Sequence, residues 1–280
     1  MARKLLLLAL LLAMAQKISA QENKSVKDSI KTYNEKNLFL GIDIVNRYVW
    51  RGQVSGGEFI TFQPTVEYAF TNNFSLGIWA TTNFNKNKYA QNGYSPKGYN
   101  EFNIYAVYSL NNYFNIELYD YYSPSLDDAA DNNYFNYSVD GVKTLDLNFV
   151  FDFSEIWLPF NTTISTLVAG NDFNYDKNNE NPKQNYTTYI ELGYTLKDLL
   201  KTFQLKPTIG VVLNNQAEYY TYADYDKMSF VNLNLEISKI FELNNNLNLP
   251  IAISYIHNAA TKNTKDVGCN YLVAKLSLEY

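Results

Sequence analysis

Residues 38–51 read LFLGIDIVNRYVWR. Taken every second residue, one set is Leu38, Leu40, Ile42, Ile44, Asn46, Tyr48 and Trp50, and the other is Phe39, Gly41, Asp43, Val45, Arg47, Val49 and Arg51. Side chains of a strand point to alternate sides, so Asp43, Arg47 and Arg51 share one face and the aliphatic residues share the other. Such a strand fits a soluble sandwich that takes the greasy face as its core. It fits equally a membrane barrel whose greasy face meets lipid and whose charges line the lumen. The rest of the chain has to decide.

The chain opens as an exported one. Arg3 and Lys4 precede an apolar run over 5–15 and the small residues Ser19 and Ala20, the order of a secretory signal over residues 1–20. Losing Arg3, Lys4 and Lys17 with that signal takes the formal charge from −5 to −8. An acidic surface argues against nucleic-acid binding, so no nucleic acid is expected as a partner. Beyond Ala20 no apolar run approaches the ~20 residues of a membrane helix, so a spanning form has to use strands. Cys269 is the lone cysteine and forms no internal disulfide. One cysteine and one histidine offer no zinc cluster, and Asp127, Asp128 and Asp131 lack the spacing and turn glycine of a calcium loop. No metal and no cofactor is expected.

Residues 21–37 form a polar, lysine-rich tail without periodicity, read as periplasmic. Twelve alternating runs follow, at roughly 38–51, 58–70, 74–84, 100–110, 113–122, 143–153, 159–170, 185–196, 202–213, 228–241, 246–257 and 269–280. Their connections alternate. Those at 71–73, 111–112, 154–158, 197–201 and 242–245 are tight, whereas 85–99, 123–142, 171–184, 214–226 and 259–268 are long and rich in Asn, Tyr and Asp. On the long side only the first connection, 52–57, is short. An even strand number with short turns at one end and long loops at the other describes an all-β, antiparallel, up-and-down transmembrane barrel over residues 38–280. A sandwich usually mixes hairpins with long crossings instead. Pro64, Pro207 and Pro250 fall inside proposed strands, which predicts bulges or shifted boundaries there.

Aromatic residues gather beside the short turns: Tyr68, Phe70, Phe74, Tyr108, Phe114, Phe151, Phe153, Trp157, Phe160, Tyr194, Phe203, Phe241 and Tyr280. Amphipathic rings favour a membrane–water boundary, so this set is expected to form the periplasmic girdle. The last strand carries Leu272, Ala274, Leu276, Leu278 and Tyr280 on one face, and an alternating strand that ends on an aromatic residue resembles the tail that barrel insertion machinery reads.

The run Asp43-Ile44-Val45-Asn46-Arg47-Tyr48-Val49-Trp50-Arg51-Gly52, followed by Gln63-Pro64, resembles the opening of the TorF-type porin family. Asp120-Tyr121-Tyr122, Gly170-Asn171-Asp172 and Leu249-Pro250 look like later landmarks of the same group. The resemblance implies an outer-membrane barrel and a channel, with no established substrate.

With the greasy face on lipid, the inward charges are Asp43, Arg47, Arg51, Glu67, Glu101, Glu117, Asp146, Asp152, Glu191, Lys206, Glu236, Lys275 and Glu279. Acidic residues dominate, which predicts a water-filled, mildly cation-preferring pore for passive diffusion of small solutes. The competing reading of the same residues is a closed plug of ion pairs in a structural or surface-interaction barrel. Arg47 and Arg51, spaced i and i+4, are each placed to bridge Glu67 on the neighbouring strand. Outer-membrane lipids, solutes and the insertion machinery are the expected partners. Two further readings are a soluble ligand-binding β-protein of the periplasm and a lipid-modifying enzyme built on His257. The enzyme is disfavoured because Ser254 has the opposite parity and Ala259 stands where a paired serine would. Tyr219, Tyr220, Tyr222 and Tyr225 give one outer loop a sticky surface, for a ligand or for neighbouring loops.

Overall fold

The computed structural model describes residues 37–86, 98–127, 130–153, 159–174, 181–199, 202–215, 217–221, 228–244, 247–260 and 268–280. The expected signal at 1–20, the tail apart from Asn37, and Trp157, Asp128, Tyr222 and Tyr225 lie outside these residues.

The strands in chain order are β1 (Leu38–Val45), β2 (Tyr48–Trp50), β3 (Gln53–Ser55), β4 (Thr61–Thr71), β5 (Phe74–Thr82), β6 (Asn100–Asn111), β7 (Phe114–Tyr122), β8 (Lys143–Asp152) and β9 (Phe160–Gly170). They continue with β10 (Phe173–Asn174), β11 (Lys183–Gln184), β12 (Thr188–Tyr194), β13 (Leu196–Leu199), β14 (Phe203–Val212), β15 (Ser229–Asn244), β16 (Leu247–His257) and β17 (Asn270–Glu279). Sequential antiparallel pairing runs β12-β9-β8-β7-β6-β5-β4-β1-β17-β16-β15-β14, and β14 pairs back onto β12. Twelve strands thus close a barrel, with short β13 as an extra strand beside β14. First meets last where Ile44 stands opposite Leu276. Closure gives each of the twelve wall strands a partner on both sides.

Alternation sorts the two faces. Leu40, Val66, Ile78, Ile104, Leu118, Leu192, Ile209, Ile237, Ile253 and Leu276 are exposed on the outside. Gln63, Ser75, Thr81, Asn103, Asp146, Asn148, Ser165, Thr208, Asn232, Ser254 and Ser277 are buried on the inside. A water-soluble protein inverts this arrangement, because exposed aliphatic side chains forfeit the burial that drives folding.

Two-residue turns close β4–β5, where Thr71 pairs with Phe74, and β6–β7, where Asn111 pairs with Phe114. The prolines need neither a bulge nor a new boundary. Pro64 pairs with Ile42 on β1 while the ladder to β5 skips it. Pro250 pairs with Ile240 on β15 while the ladder to β17 skips it. Pro207 pairs with Leu235 on β15, and the ladder between β12 and β14 stops at Thr208. Each ring therefore interrupts one ladder and leaves the other intact.

The first run departs from its expectation. Residues 38–51 are not one strand: β1 ends at Val45, and β2 and β3 form a separate hairpin. Asn46 supplies the local reason. Its side-chain Nδ2 donates to the Leu272 carbonyl at 3.1 Å and its Oδ1 accepts from the Ala274 N–H at 2.9 Å. The amide thus imitates one more ladder step with β17, after which the backbone is free to leave the wall. The connection from β1 to β4 spans residues 46–60 and is a long one like the others, not the short loop 52–57 expected.

Candidate functional site: a hairpin folded across the lumen

Residues Arg51 and Gly52 form the turn of the β2–β3 hairpin, with φ of 47° and 82° and Trp50 paired to Gln53 across it. Two positive φ values in a two-residue loop match the right-handed twist of the flanking strands, which is why such loops favour glycine. Gly52 is required a second time. A Cβ on it would sit 1.7 Å from the Val231 carbonyl oxygen of β15. Its own carbonyl accepts from Nδ2 of the buried Asn258 at 3.0 Å. The tip is pressed against the wall.

Arg51 carries the hairpin across the barrel. Its Nη1 donates to Asp146 Oδ2 at 3.1 Å, to Ser165 Oγ at 2.7 Å and to the Tyr220 hydroxyl at 2.6 Å. Its Nη2 donates to Asn148 Oδ1 at 2.8 Å. Asp146 and Asn148 stand on β8 and Ser165 on β9, across the cylinder from β1 and β4 in the strand order. The guanidinium lies 4.8 Å from the Tyr189 ring centroid on β12. Asp146 is wholly buried and also accepts from Ser165 Oγ at 2.6 Å and from the Tyr121 hydroxyl at 3.1 Å. Charge-assisted bonds of this density hold a buried pair in one geometry.

Rings complete the crossing. Trp50 stacks on Tyr220 (centroids 5.5 Å apart, planes at 17°), and Tyr220 stacks on Tyr189 (5.4 Å, 6°). Tyr121 and Tyr219 meet Trp50 edge-on. Tyr219 and Tyr220 belong to a single helical turn, Glu218–Thr221, that follows β14. Of the two outcomes open to this loop's tyrosines, packing is the one seen for Tyr220, which is fully buried in the lumen. On the other side of the hairpin, Val54 clusters with Ile256 and Tyr271.

The hairpin divides the interior. On the short-turn side lies a cavity of about 600 Å³, lined by Tyr48, Trp79, Asn103, Tyr105, Glu117, Tyr119 and Glu191 among others. On the long-loop side lies one of about 220 Å³, lined by Tyr99, Glu101, Ser123, Asn171 and Tyr219 among others. Tyr48, Trp50 and Tyr121 border both.

The expected lumen charges separate into three groups. Glu101 and Asp146 are buried near the long-loop end. Asp43, Glu67, Glu117, Asp152, Glu191, Lys206, Glu236, Lys275 and Glu279 occupy inward positions from the middle to the short-turn end, with Lys275 Nζ 3.8 Å from Asp43. Arg47 and Arg51 are not on a wall strand, and neither bridges Glu67. Arg47 pairs with Glu58 at 2.9 Å, Arg51 with Asp146, and Glu67 accepts from the Tyr105 hydroxyl at 2.8 Å. The i, i+4 spacing carried no meaning once β1 ended between the aliphatic run and the arginines. Trp50 and Tyr48, placed on the greasy face by parity, sit in the lumen for the same reason.

Among the expected girdle, Tyr68, Phe70, Tyr108, Phe241 and Tyr280 are exposed, and Phe74, Phe114, Phe160, Tyr194 and Phe203 are partly so. Phe160 meets Tyr194 at 4.8 Å, Phe114 stacks on Phe151 at 4.5 Å, and Lys239 Nζ lies 4.8 Å from the Phe241 ring. His257 faces outward and bonds Asn270 Oδ1 at 2.9 Å, whereas Ser254 faces inward and donates to Glu236.

Near the long-loop rim, Asp172 accepts from the backbone N–H of Thr187 at 2.8 Å and from its hydroxyl, tying the loop after β9 to the start of β12. Burial pushes the Asp172 carboxyl above the usual aspartate value against the pull of these donors.

Sequence reasoning missed Asn148, Ser165 and Tyr189, polar or aromatic residues that look like ordinary wall positions until the hairpin reaches them, and Asn258, just past the end of β16. The available signal was Asn46 together with Gly52, a capping amide and a turn glycine inside an otherwise regular run.

No family model matches the chain, and no curated protein does. Solved structures similar to it include the NanC porin, with 9% identity and a TM-score of 0.48 over 86% of this chain and 98% of that one. The KdgM porin shows 10% identity and a TM-score of 0.42 over 86% and 98%. The COG4313 outer membrane channel from Pseudomonas putida F1 shows 10% and 0.44 over 87% and 95%.

Proposed function

We propose that the protein is an outer-membrane channel for small cationic or neutral solutes, constricted by the inward-folded β2–β3 hairpin. The single observation that carries the reading is Arg51, held on a loop from one wall by Asp146, Asn148 and Ser165 of the other. A barrel whose lumen is crossed by a loop, rather than filled by its wall side chains, keeps space on both sides of the crossing. The exposed aliphatic belt supports a membrane setting, where basic residues on that face would cost about 2–4 kcal/mol each at the midplane. Phe70, Tyr108, Phe241 and their neighbours then form the periplasmic girdle. The excess of Asp and Glu over Lys between the hairpin and the short turns supports a preference for cations. A porin-type role is also what the TorF-type resemblance implies.

Single-channel recording tests this. The native barrel is expected to give small steps, and a variant with residues 48–55 replaced by a short Gly-Ser link to give steps several-fold larger. A potassium chloride gradient is expected to yield a cation-selective reversal potential for both. Equal steps from the two proteins would remove the hairpin as the constriction. Silence from both would leave the second reading, a closed structural barrel, which the tightness of the Arg51–Asp146 cluster favours. We assign no catalytic role to His257, since Ser254 lies on the other side of the wall.

A further inference from the structure

We propose that the cavity of about 600 Å³ on the short-turn side of the hairpin is a binding site for a small protonated organic amine. The inference rests on the channel reading and names the class of solute such a channel selects. A volume of this size lies within the range of small-molecule sites.

Its walls are aromatic. Tyr48 and Trp79 are in contact with ring centroids 5.6 Å apart, and Tyr105 stacks on Tyr119 at 5.0 Å. All four rings line the cavity. Ring faces are negative, so they attract an ammonium group and accept its alkyl part as well.

Its charge is acidic. Glu117 and Glu191 line it, with Glu67 just behind, gripping the Tyr105 hydroxyl. Among the described lining residues the only basic group is Arg51, and Asp146 already neutralises it. An anionic solute finds no uncommitted cation among the described lining residues.

Its spare hydrogen-bonding capacity is for accepting. Asn103 and Asn232 line the cavity and are 4% and 6% exposed. Nδ2 of Asn103 donates to Glu101 Oε1 at 2.6 Å, and Nδ2 of Asn232 donates to Glu191 Oε2 at 3.1 Å. A carboxylate accepts and an amide oxygen cannot donate to it, so these bonds set which way each amide faces. Among the described residues the oxygen left over in each case has no partner, and neither has Oδ1 of Asn234 on the same lining. Buried acceptors without donors are costly, and a ligand bearing N–H groups supplies what is missing once these lining amides turn their oxygens toward it. A neutral polyol would also supply donors, to the amide oxygens and to the carboxylates, but it carries no positive charge for the carboxylates and ring faces to attract. The amine gains from rings, carboxylates and amide oxygens together.

The test uses the full-length barrel refolded in detergent, with folding checked by heat-dependent gel migration. Calorimetry and tryptophan emission are followed on adding cyclohexylammonium, its neutral isostere cyclohexanol, the anion cyclohexanecarboxylate, and glucose. Cyclohexylammonium is expected to bind about tenfold or more tighter than cyclohexanol, with no binding of the anion. Glu117→Gln and Glu191→Gln, which keep size and shape, are each expected to weaken it by about tenfold, and Trp79→Leu by several-fold. Equal binding of the amine and cyclohexanol, tighter binding of glucose, or indifference to both carboxamide variants would overturn the proposal. Conductance is read separately. A barrel that conducts without amine preference sinks this inference and leaves the channel, whereas amine binding by a silent barrel sinks the channel and leaves the site.

Discussion

The two halves of the lumen use the same kinds of side chain to opposite ends. At the hairpin, Arg51 and Asp146 are withdrawn from solvent, and both terminal nitrogens of Arg51 donate to named acceptors on other elements. On the wall strands β1 and β17, away from the Arg51 cluster, Lys275 and Asp43 stand 3.8 Å apart with side chains 39% and 32% exposed, in an acidic surround. The first arrangement fixes a loop; the second tunes a field. The difference teaches that charge inside a barrel is not one property. Where water is excluded a pair becomes a mechanical fastening, and where water remains it becomes part of a diffuse potential.

The largest expected effect comes from breaking the fastening on one side. Arg51→Ala leaves Asp146 buried and uncompensated, and a broken buried pair costs about 3–5 kcal/mol. Urea unfolding of the barrel in lipid vesicles is expected to show a loss of that order, together with larger single-channel steps. Arg51→Met with Asp146→Leu, which removes both charges, is expected to recover much of the stability and none of the gating geometry. If Arg51→Ala unfolds at the native urea concentration, the Arg51–Asp146 pair is not a fastening and the two halves of the lumen do not differ in this way.

Next in size is Gly52→Ala. Left-handed backbone alone costs a residue with a Cβ about 1–2 kcal/mol. Here the added atom also meets the Val231 carbonyl, so the tip must back away from β15. The same measurement is expected to show a loss above that range, with Asn258 made accessible to solvent in hydrogen exchange. Glycine-to-alanine changes at Gly41, where the nearest side-chain atom is 3.0 Å away and belongs to Phe39, are expected to cost less because a ring can turn aside.

These two halves were also unequally legible. The wall could be read because period-two alternation recurs from run to run, with loop asymmetry and aromatic residues beside the short turns, and each repetition is a local property of the chain. The proposed inward charges of β4 to β17 could be located from parity alone. The hairpin could not, because what makes Tyr48, Trp50 and Arg51 lumen residues is a departure from the wall at Asn46, and what holds them are Asp146, Ser165 and Tyr220, some 95 to 169 residues further on. A regular pattern that continues past its own strand carries no sign that the backbone has turned. Tyr189 was hidden for a related reason: on its own strand it satisfies an ordinary inside position, and only the arriving tip gives it a role.

A pH experiment sharpens the contrast at the rim. Burial raises the Asp172 carboxyl above its unfolded value, so the native state binds that proton more readily than the unfolded state does. Its contribution is therefore fully present at low pH, and it is lost as pH rises from the ordinary aspartate value through the raised one. Asp172→Asn removes the titration, and the difference in stability between variant and native is expected to grow in the variant's favour as pH climbs through that window. A difference that shrinks instead would reverse the assigned balance between burial and the Thr187 donors.

The smallest expected effect belongs to the exposed pair, and its smallness is the point. Lys275→Ala removes one partner of Asp43 without burying anything uncompensated, since water reaches both groups. Exposed pairs are worth about 0–1 kcal/mol, so urea unfolding should hardly move. What should move is the field: one fewer positive charge in an acidic stretch is expected to shift the reversal potential toward stronger cation preference, and raising the salt should erase the shift because screening acts on open charges and spares enclosed ones. Arg51 variants should respond to salt in the opposite manner, with their stability loss persisting at high ionic strength. A salt-independent stability loss in Lys275→Ala would mean that the short-turn half is fastened as tightly as the hairpin, and the division of labour between the two would have to be abandoned.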